Sequence, residues 1–327
     1  MERLPRAQAL PAIVGASVGD VATAEISERT TSELVESTHR DRSLSATMAA
    51  FVELSKPGVT RLVLVTTALG VLAAPSNVAW FDLLAAIVGT GLVVAGANAL
   101  NMFVERESDR YMTRTQTRPL PTGRLSADEA LAFGVLVSIA GLFVLAQFTS
   151  PLAVGLATFA LLSYVLLYTP MKRVHSSALY IGAVPGALPP AIGYAAVTGT
   201  LDGPGLSLFL ILFAWQLPHF LAISLFRRDE YGRAGLRVLP NERGVTFTKW
   251  TALVQALGLL FVTLLPARHA GIAPAYVWIA SLSGLAYLAL ALYGLRPSSG
   301  DKWARRFFFA SMPHLVIVMT ALVLSVQ

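Results

Sequence analysis

The sequence predicts an all-α polytopic membrane protein, a bundle of nine transmembrane helices, on three observations. Hydrophobic residues make up 55% of the chain and charged residues 13%, with a mean hydropathy of +0.63, far from the balance of a soluble domain. The charges cluster, leaving charge-free runs over 62–81, 83–104, 130–171, 174–201, 203–226, 250–267, 269–295 and 307–327. Each run reaches roughly the 18–20 residues a spanning helix needs. Finally, 24 of the 25 Lys and Arg residues fall on one side of the membrane if the N-terminus is cytoplasmic, with only Arg268 opposite. A bias this complete orients the chain with its N-terminus inside and its C-terminus outside.

Taken in order, residues 1–48 are rich in Ala, Ser, Thr and Glu without sustained periodicity and predict a flexible cytoplasmic tail. Their four glutamates between 25 and 36 argue against a transit peptide. Residues 49–327 form the nine-helix membrane domain. The first span covers 62–81. The second, 83–104, continues directly into a polar stretch. The 130–171 run is twice a span in length and breaks at Thr149-Ser150-Pro151, giving two helices and a tight turn. In the fifth span, Gly182 to Gly193 carries three prolines and three glycines, which predicts a bent or broken helix forming a cavity wall. Four further runs complete the nine. The large polar loops, after the second and sixth spans, share the cytoplasmic side. The pI near 9.8 suits anionic lipid and an anionic substrate, and no basic–aromatic pattern points to nucleic acid. With no cysteine, disulfides, iron–sulfur ligation, thiolate catalysis and thioether haem attachment are excluded.

The chemistry concentrates where the second span meets water. Asn101, Glu105 and Asp109 recur every four residues, and each such step adds about 40° on a helix, so they share one face. Two carboxylates at i, i+4 repel unless something positive lies between them. The arrangement suits a hard cation with oxygen ligands, and the cation suits a phosphate-bearing substrate. Arg106, Arg110, Arg114 and Arg118 repeat with the same spacing on the adjoining face if the helix persists. The plainer alternative is lateral ion pairing, such as Arg106 with Asp109. The second loop holds Asp229, Glu230 and Arg233, which either face the first motif across a diphosphate or, for Asp229 and Arg233, pair with each other. Lys172 and Arg173 end the fourth span, as an inside-positive signal or as direct diphosphate ligands. His219, after Pro218, and His314, after Pro313, lie within spans, where a histidine faces the interior either as a functional group or as a hydrogen-bonded packing residue.

These motifs resemble the UbiA superfamily of intramembrane prenyltransferases, from about Phe51 to the C-terminus. Ser55-Lys56-Pro57 looks like the family's opening, and Asn101-x-x-x-Glu105-x-x-x-Asp109 with Arg114 and Arg118-Pro119 like its first acidic motif. Tyr168-Thr-Pro-Met-Lys172-Arg173, Pro185 to Pro190 and Gly193 look like its central segment. Pro218-His219-Phe220, with Asp229-Glu230-Tyr231 and Ala234-Gly235, is similar to the heme O branch rather than the quinone-type branches. Where many members carry an Asn after the Lys-Arg pair, this chain has Ser176-Ser177-Ala178. The resemblance implies a bundle around a central cavity in the cell inner membrane, and farnesyl transfer from farnesyl diphosphate to heme B with one or two Mg²⁺ ions. It implies Glu105, Asp109 and Asp229 as metal ligands, with Asn101 supporting them and Glu230 and Lys172 in the catalytic set. Arg114, Arg118, Lys172, Arg173 and Arg233 would bind diphosphate, and His219 and His314 heme. A heme A synthase would be a partner at the product end. The competing expectations are a prenyltransferase for a quinone precursor or chlorophyllide, and a non-enzymatic heme carrier or transporter. A transporter would place its ionisable residues near the bilayer midplane, whereas these carboxylates lie in cytoplasmic loops.

Overall fold

A computed structural model describes residues 43–74, 78–269 and 271–326. The chain divides into two units, Met1–Met48 and Ala49–Gln327. Of the first, only residues 43–48 are described, all but Ser43 within helix α1 (Leu44–Leu54); the remainder of the predicted tail lies outside the described residues. The membrane unit continues with α2 (Pro57–Leu72), α3 (Trp80–Asp109) and α4 (Ala127–Phe148). Next come α5 (Pro151–Met171), α6 (Ala178–Thr198) and α7 (Gly203–Phe226). Two short helices, α8 (Arg228–Arg233) and α9 (Leu239–Arg243), precede α10 (Val245–Leu264), α11 (Pro274–Tyr293) and α12 (Asp301–Val326).

Among the described residues, eight helices are long and apolar enough to cross a membrane. The shorter α2 stands where the first of the nine spans was expected. It has 16 residues and begins five positions before the charge-free run. Pro57 opens its first turn, the position proline favours, and Arg61 is carried inside it, its Nε donating to the Pro57 carbonyl at 3.3 Å.

Burial separates inner helices from lipid-facing ones. Helices α3, α6, α7 and α12 are at least half buried, whereas α4, α5, α10 and α11 are 22–28% buried. Small residues let the inner helices approach closely. A Cβ on Gly96 of α3 would lie 2.2 Å from the Ser138 hydroxyl of α4, and one on Gly141 of α4 would meet the Val93 backbone at 2.6 Å. Where α2 crosses α6, a Cβ on Gly70 would fall 1.9 Å from the Pro190 carbonyl oxygen, and one on Gly193 2.1 Å from that of Thr67.

This corrects the reading of Gly182 to Gly193. The helix runs unbroken from Ala178 to Thr198 despite Pro185, Pro189 and Pro190. Its glycines form packing seams against Tyr168, Gln216 and Thr67, and from this helix only Ala178 and Leu179 line the main cavity. Glycine and proline report a close approach in the sequence but do not name the element that approaches.

Two local features position the functional residues. Helix α3 has 30 residues, roughly 45 Å at 1.5 Å per residue, against about 30 Å of hydrocarbon. Its last turns therefore project beyond the lipid. The chain then turns through 110–125 and re-enters at α4 through a capping box: Ser126 Oγ accepts from the Glu129 backbone N–H at 3.1 Å, and the Glu129 carboxylate accepts from the Ser126 N–H at 2.6 Å.

Candidate active site

A cavity of about 870 Å³ opens where α3 and α5 end and α8 begins. Asn101, Glu105 and Asp109 face it from α3 and are 1%, 6% and 0% exposed. The helical spacing thus puts the three predicted groups on one face, with both carboxylates taken out of water.

Buried carboxylates require partners, and each obtains one from a different segment. Glu105 Oε1 is ion-paired with Lys172 Nζ, from the residue that follows α5. Asp109 Oδ2 accepts from Arg118 Nη1 at 2.7 Å, across the 110–125 turn. Asn101 Oδ1 accepts from Lys56 Nζ at 2.5 Å, while its amide donates to Thr169 Oγ1 at 3.1 Å. Thr169 Oγ1 in turn donates to the Tyr164 carbonyl at 2.8 Å.

Lys56, a residue to which the sequence assigned no role, lies between α1 and α2 in the left-handed region, with φ 46°. It is the one non-glycine with positive φ among the described residues. Such a conformation costs on the order of 1–2 kcal/mol and persists where surrounding contacts fix it, here the ammonium on Asn101. Burial, then the nearby Arg118 and Lys172 charges, lower the Lys56 pKa to about 7, against the opposing pull of Glu105 and Asp109. At Lys172 burial also opposes the charge, but Tyr168 and Glu105 outweigh it and the pKa is raised. Three basic side chains, Lys56 with its charge weakened by burial, and two carboxylates therefore share this end of the cavity.

Helix α5 contributes through an irregularity. Ser163–Tyr168 form a π turn, closed by the Thr169 N–H on the Tyr164 carbonyl, a feature that recurs at functional sites. Tyr164 and Tyr168 both line the cavity, with ring centroids 5.4 Å apart, and Lys172 Nζ lies 5.2 Å from the Tyr168 centroid.

The arginine ladder does not form, because the helix ends at Asp109. Arg106 and Arg110 reach the exposed Glu107, at 3.7 and 3.6 Å. Arg114 and Arg118 lie in the following turn and line the cavity. Arg173 does not line it; its guanidinium donates to Ser108 Oγ at 2.8 Å.

Asp229, Glu230 and Arg233 of α8 stand on the cavity rim. Glu230 accepts from Arg227 Nη1 at 2.6 Å and from the Arg114 backbone N–H at 3.4 Å, which ties the two polar loops together. Burial works to raise its pKa, but these hydrogen bonds and the two arginine charges prevail and lower it. Asp229 is exposed, its nearest base Arg228 at 3.9 Å. Arg233 lies on the same face as Asp229 without forming an ion pair among the described residues.

The intramembrane histidines lie apart from the carboxylates. His219 Nδ1 is 2.7 Å from Ser311 Oγ, and its ring sits between Trp215 and Phe308, with centroids at 4.4 and 4.5 Å. Phe308 lines the main cavity, with His219 behind it. His314 lines a separate cavity of about 510 Å³ between α11 and α12. Its Nδ1 is 2.8 Å from Ser283 Oγ and its buried Nε2 has no hydrogen-bond partner.

Among the described residues, no three His, Asp or Glu side chains are gathered into a ready metal site. The donors do fit a hard cation that keeps water and phosphate in its shell, since Mg²⁺ is commonly held by one or two carboxylates plus substrate oxygens. Asp109 Oδ1 is buried and unpartnered, a free lone pair where such an ion would sit.

Comparison with known proteins follows the same lines. Residues 62–312 match the UbiA prenyltransferase family. A protoheme IX farnesyltransferase of Sorangium cellulosum is 51% identical over 73% of this chain and 86% of its own. That of Myxococcus xanthus is 42% identical over 88% and 97%. Among solved structures, a digeranylgeranylglyceryl phosphate synthase superposes with a TM-score of 0.74 at 17% identity, covering 86% of this chain and 98% of its own. A UbiA homologue of Archaeoglobus fulgidus bound to GPP and Mg²⁺ gives 0.63 at 13%, covering 84% and 99%.

Proposed function

The chain belongs to the UbiA prenyltransferase family, and from that premise we propose that it is a protoheme IX farnesyltransferase: it transfers the farnesyl group of farnesyl diphosphate to a vinyl group of heme B, giving heme O and diphosphate. The observation that carries the reading is the buried Asn101–Glu105–Asp109 face with Lys56, Lys172 and Arg118 set against it in one cavity. The acceptor is taken from relatives that share up to 51% of the matched sequence. In this reading Glu105 and Asp109, with Asp229 on the facing loop, hold Mg²⁺ as one ion or two, and Mg²⁺ supplies neutralising charge to the diphosphate oxygens.

The chain's own groups do the rest. Lys172 and Arg118 stand one hydrogen bond from the carboxylates and carry the charge needed to hold a departing diphosphate. Lys56 fixes the Asn101 amide, and Glu230 holds Arg114 and Arg227 at the rim; Arg233 and Arg173 lie within the same basic surround. As the C1–O bond breaks, the electron pair leaves on the diphosphate. Tyr164 and Tyr168 wall the cavity where the allylic cation forms and keep bulk water from it. The vinyl group attacks farnesyl C1, and water captures the new cation with loss of a proton, leaving a hydroxyethylfarnesyl side chain. His219, behind Phe308, is the imidazole set to orient the heme, whereas His314, in a separate cavity, takes no part in holding a heme seated in the main one. The chain is read as a multi-pass protein of the cell inner membrane, with its N-terminus and catalytic loops cytoplasmic and its C-terminus outside. Its product would pass to a heme A synthase.

The test is purified protein with heme B, farnesyl diphosphate and Mg²⁺, with products identified by mass spectrometry. Heme carrying the hydroxyethylfarnesyl group, lost with EDTA, is the expected result. Prenylation of an aromatic acceptor but not heme would refute the acceptor. Absence of transfer to any acceptor by folded protein would refute the reaction.

A further inference from the structure

The main cavity has a second wall that the acidic motif does not use. Arg305, one turn into α12, lines it and is exposed. The acid placed to pair with it at i−4, Asp301, is engaged instead by Arg228 at 2.7 Å. Among the described residues Arg305 has no ion pair; its guanidinium lies 5.5 Å from the Phe226 ring centroid. From there a ladder of rings runs inward. Phe226 meets Phe308 edge-on at 5.9 Å, Phe308 meets His219 at 4.5 Å, and His219 stacks on Trp215 at 4.4 Å. Phe220 and Phe309 complete the lining of this side.

We propose that this wall is the acceptor subsite. A planar aromatic macrocycle lies against Phe220, Phe308 and Phe309, with a carboxylate at its edge held by Arg305 at the aqueous rim. The inference rests on the heme reading above and adds the group that recognises the propionates. Three features favour this occupant over a lipid. Phe308 meets Phe226 edge-on at 5.9 Å and Phe309 edge-on at 5.0 Å, so the rings that line this wall present faces and edges that suit a flat aromatic ligand. Arg305, without an ion pair among the described residues, sits at the exposed end of this wall, where an amphipathic porphyrin carries its carboxylates. The wall also shares one cavity with Lys172 and Glu105, so acceptor and diphosphate would occupy the same space.

The experiment compares heme B with its dimethyl ester as acceptor in the wild type, Arg305→Gln, Arg305→Lys and Arg306→Gln, the last altering a neighbouring base that does not line the cavity. Binding of iron-free protoporphyrin IX and of its dimethyl ester is followed by fluorescence in parallel, which does not depend on turnover. In the wild type the ester should show a KM and a Kd about tenfold higher than the diacid, equivalent to ~1.4 kcal/mol. Arg305→Gln should raise both constants for the diacid about tenfold, leave the ester where it was and change the KM for farnesyl diphosphate less than twofold. Arg305→Lys should recover part of the loss and Arg306→Gln should behave as wild type. Equal affinity for diacid and ester in the wild type would overturn the proposal. So would an Arg305→Gln effect of the same size on both acceptors, or one confined to farnesyl diphosphate, which would mark Arg305 as part of the diphosphate site. If no heme O forms but the Arg305-dependent preference for diacid porphyrin remains, the subsite stands and the reaction assigned above fails. Loss of porphyrin binding altogether would refute both.

Discussion

Replacing Lys172 with Met separates the structural role of the buried pair from its catalytic one. The Glu105 side chain is 7% exposed and that of Lys172 19%. Removing the ammonium leaves a carboxylate in a place water barely reaches. Breaking a buried ion pair from one side costs about 3–5 kcal/mol, most of it the penalty of stranding the remaining charge. Lys56 also acts on this cluster, so part of the field at Glu105 survives and the lower figure, about 3 kcal/mol, applies. That is on the order of a hundredfold in the folding equilibrium. The double variant Lys172→Met/Glu105→Gln strands no charge. It should recover all but about 1 kcal/mol of stability and yet remain inactive, with turnover down on the order of 10²–10³-fold from loss of a charge directed at the leaving group. Stability is read by SDS titration in mixed micelles, and turnover by heme O formation. Two results would refute the reasoning: a Lys172→Met protein as stable as wild type, meaning the pair is not buried in solution, or a double variant that regains turnover, meaning the pair only holds the fold.

Three further outcomes follow from the geometry. Asp109→Asn keeps the shape that accepts from Arg118 but removes the carboxylate; heme O formation should fall on the order of 10²–10³-fold and the Mg²⁺ concentration for half-activity should rise, while unchanged Mg²⁺ dependence would exclude Asp109 as a ligand. Gly193→Ala drives a Cβ to 2.1 Å from the Thr67 carbonyl oxygen, a backbone atom that cannot rotate away, so the variant should lose about 1–3 kcal/mol in the same SDS titration; Gly155→Ala, where a Cβ meets nothing within 4 Å, is the neutral control. His219→Ala removes three ring contacts, with Trp215, Phe220 and Phe308, worth about 0.5–1.5 kcal/mol each, and the Ser311 hydrogen bond, and should raise the KM for heme about tenfold with a smaller change for farnesyl diphosphate; equal loss for both substrates would make His219 a packing residue.

What the sequence displays and what it conceals divide along a physical line. Asn101, Glu105 and Asp109 were legible because helical periodicity is a local property, and an unbroken apolar run leading into a polar repeat fixes both the face and its depth. Lys172 was legible by the same means, as the first base after a span. Asp109 is nevertheless fully buried although it lies at the boundary, because the 110–125 turn folds Arg118 back over it, and no local pattern predicts that return. Lys56 carries no periodic signal at all; its place depends on a left-handed backbone before Pro57 and on an amide forty-five residues away. The π turn at Ser163–Tyr168 is likewise silent, since the residues in it are ordinary helix formers in a span. The glycines of α6 announced close packing, but their partners Tyr168, Gln216 and Thr67 come from three other helices. Pattern reveals which face a residue occupies; what the face meets is decided by the whole bundle.

The cation–carboxylate pairs also bear on why the site can be stable when empty and active when filled. Charges this deep cannot stand alone, because the cost of stranding one exceeds most other single contributions to the fold. Glu105 and Asp109 are therefore held by Lys172 and Arg118, bases whose charge is also what a diphosphate needs. Lys172 and Arg118 can leave the carboxylates at low cost only if another cation takes their place there, and they can turn to phosphate only if phosphate is present. The reading of this site accordingly couples anion and metal binding through the same four side chains. It requires no large movement of the helices, only an exchange of partners within reach of each other. The arrangement also accounts for the placement at the end of α3. The exchange needs access from water for the diphosphate and its metal, and an apolar cavity next to it for the chain that the diphosphate carries. A 30-residue helix that overshoots the lipid brings both conditions to one point, which neither a midplane site nor a fully cytoplasmic loop would do.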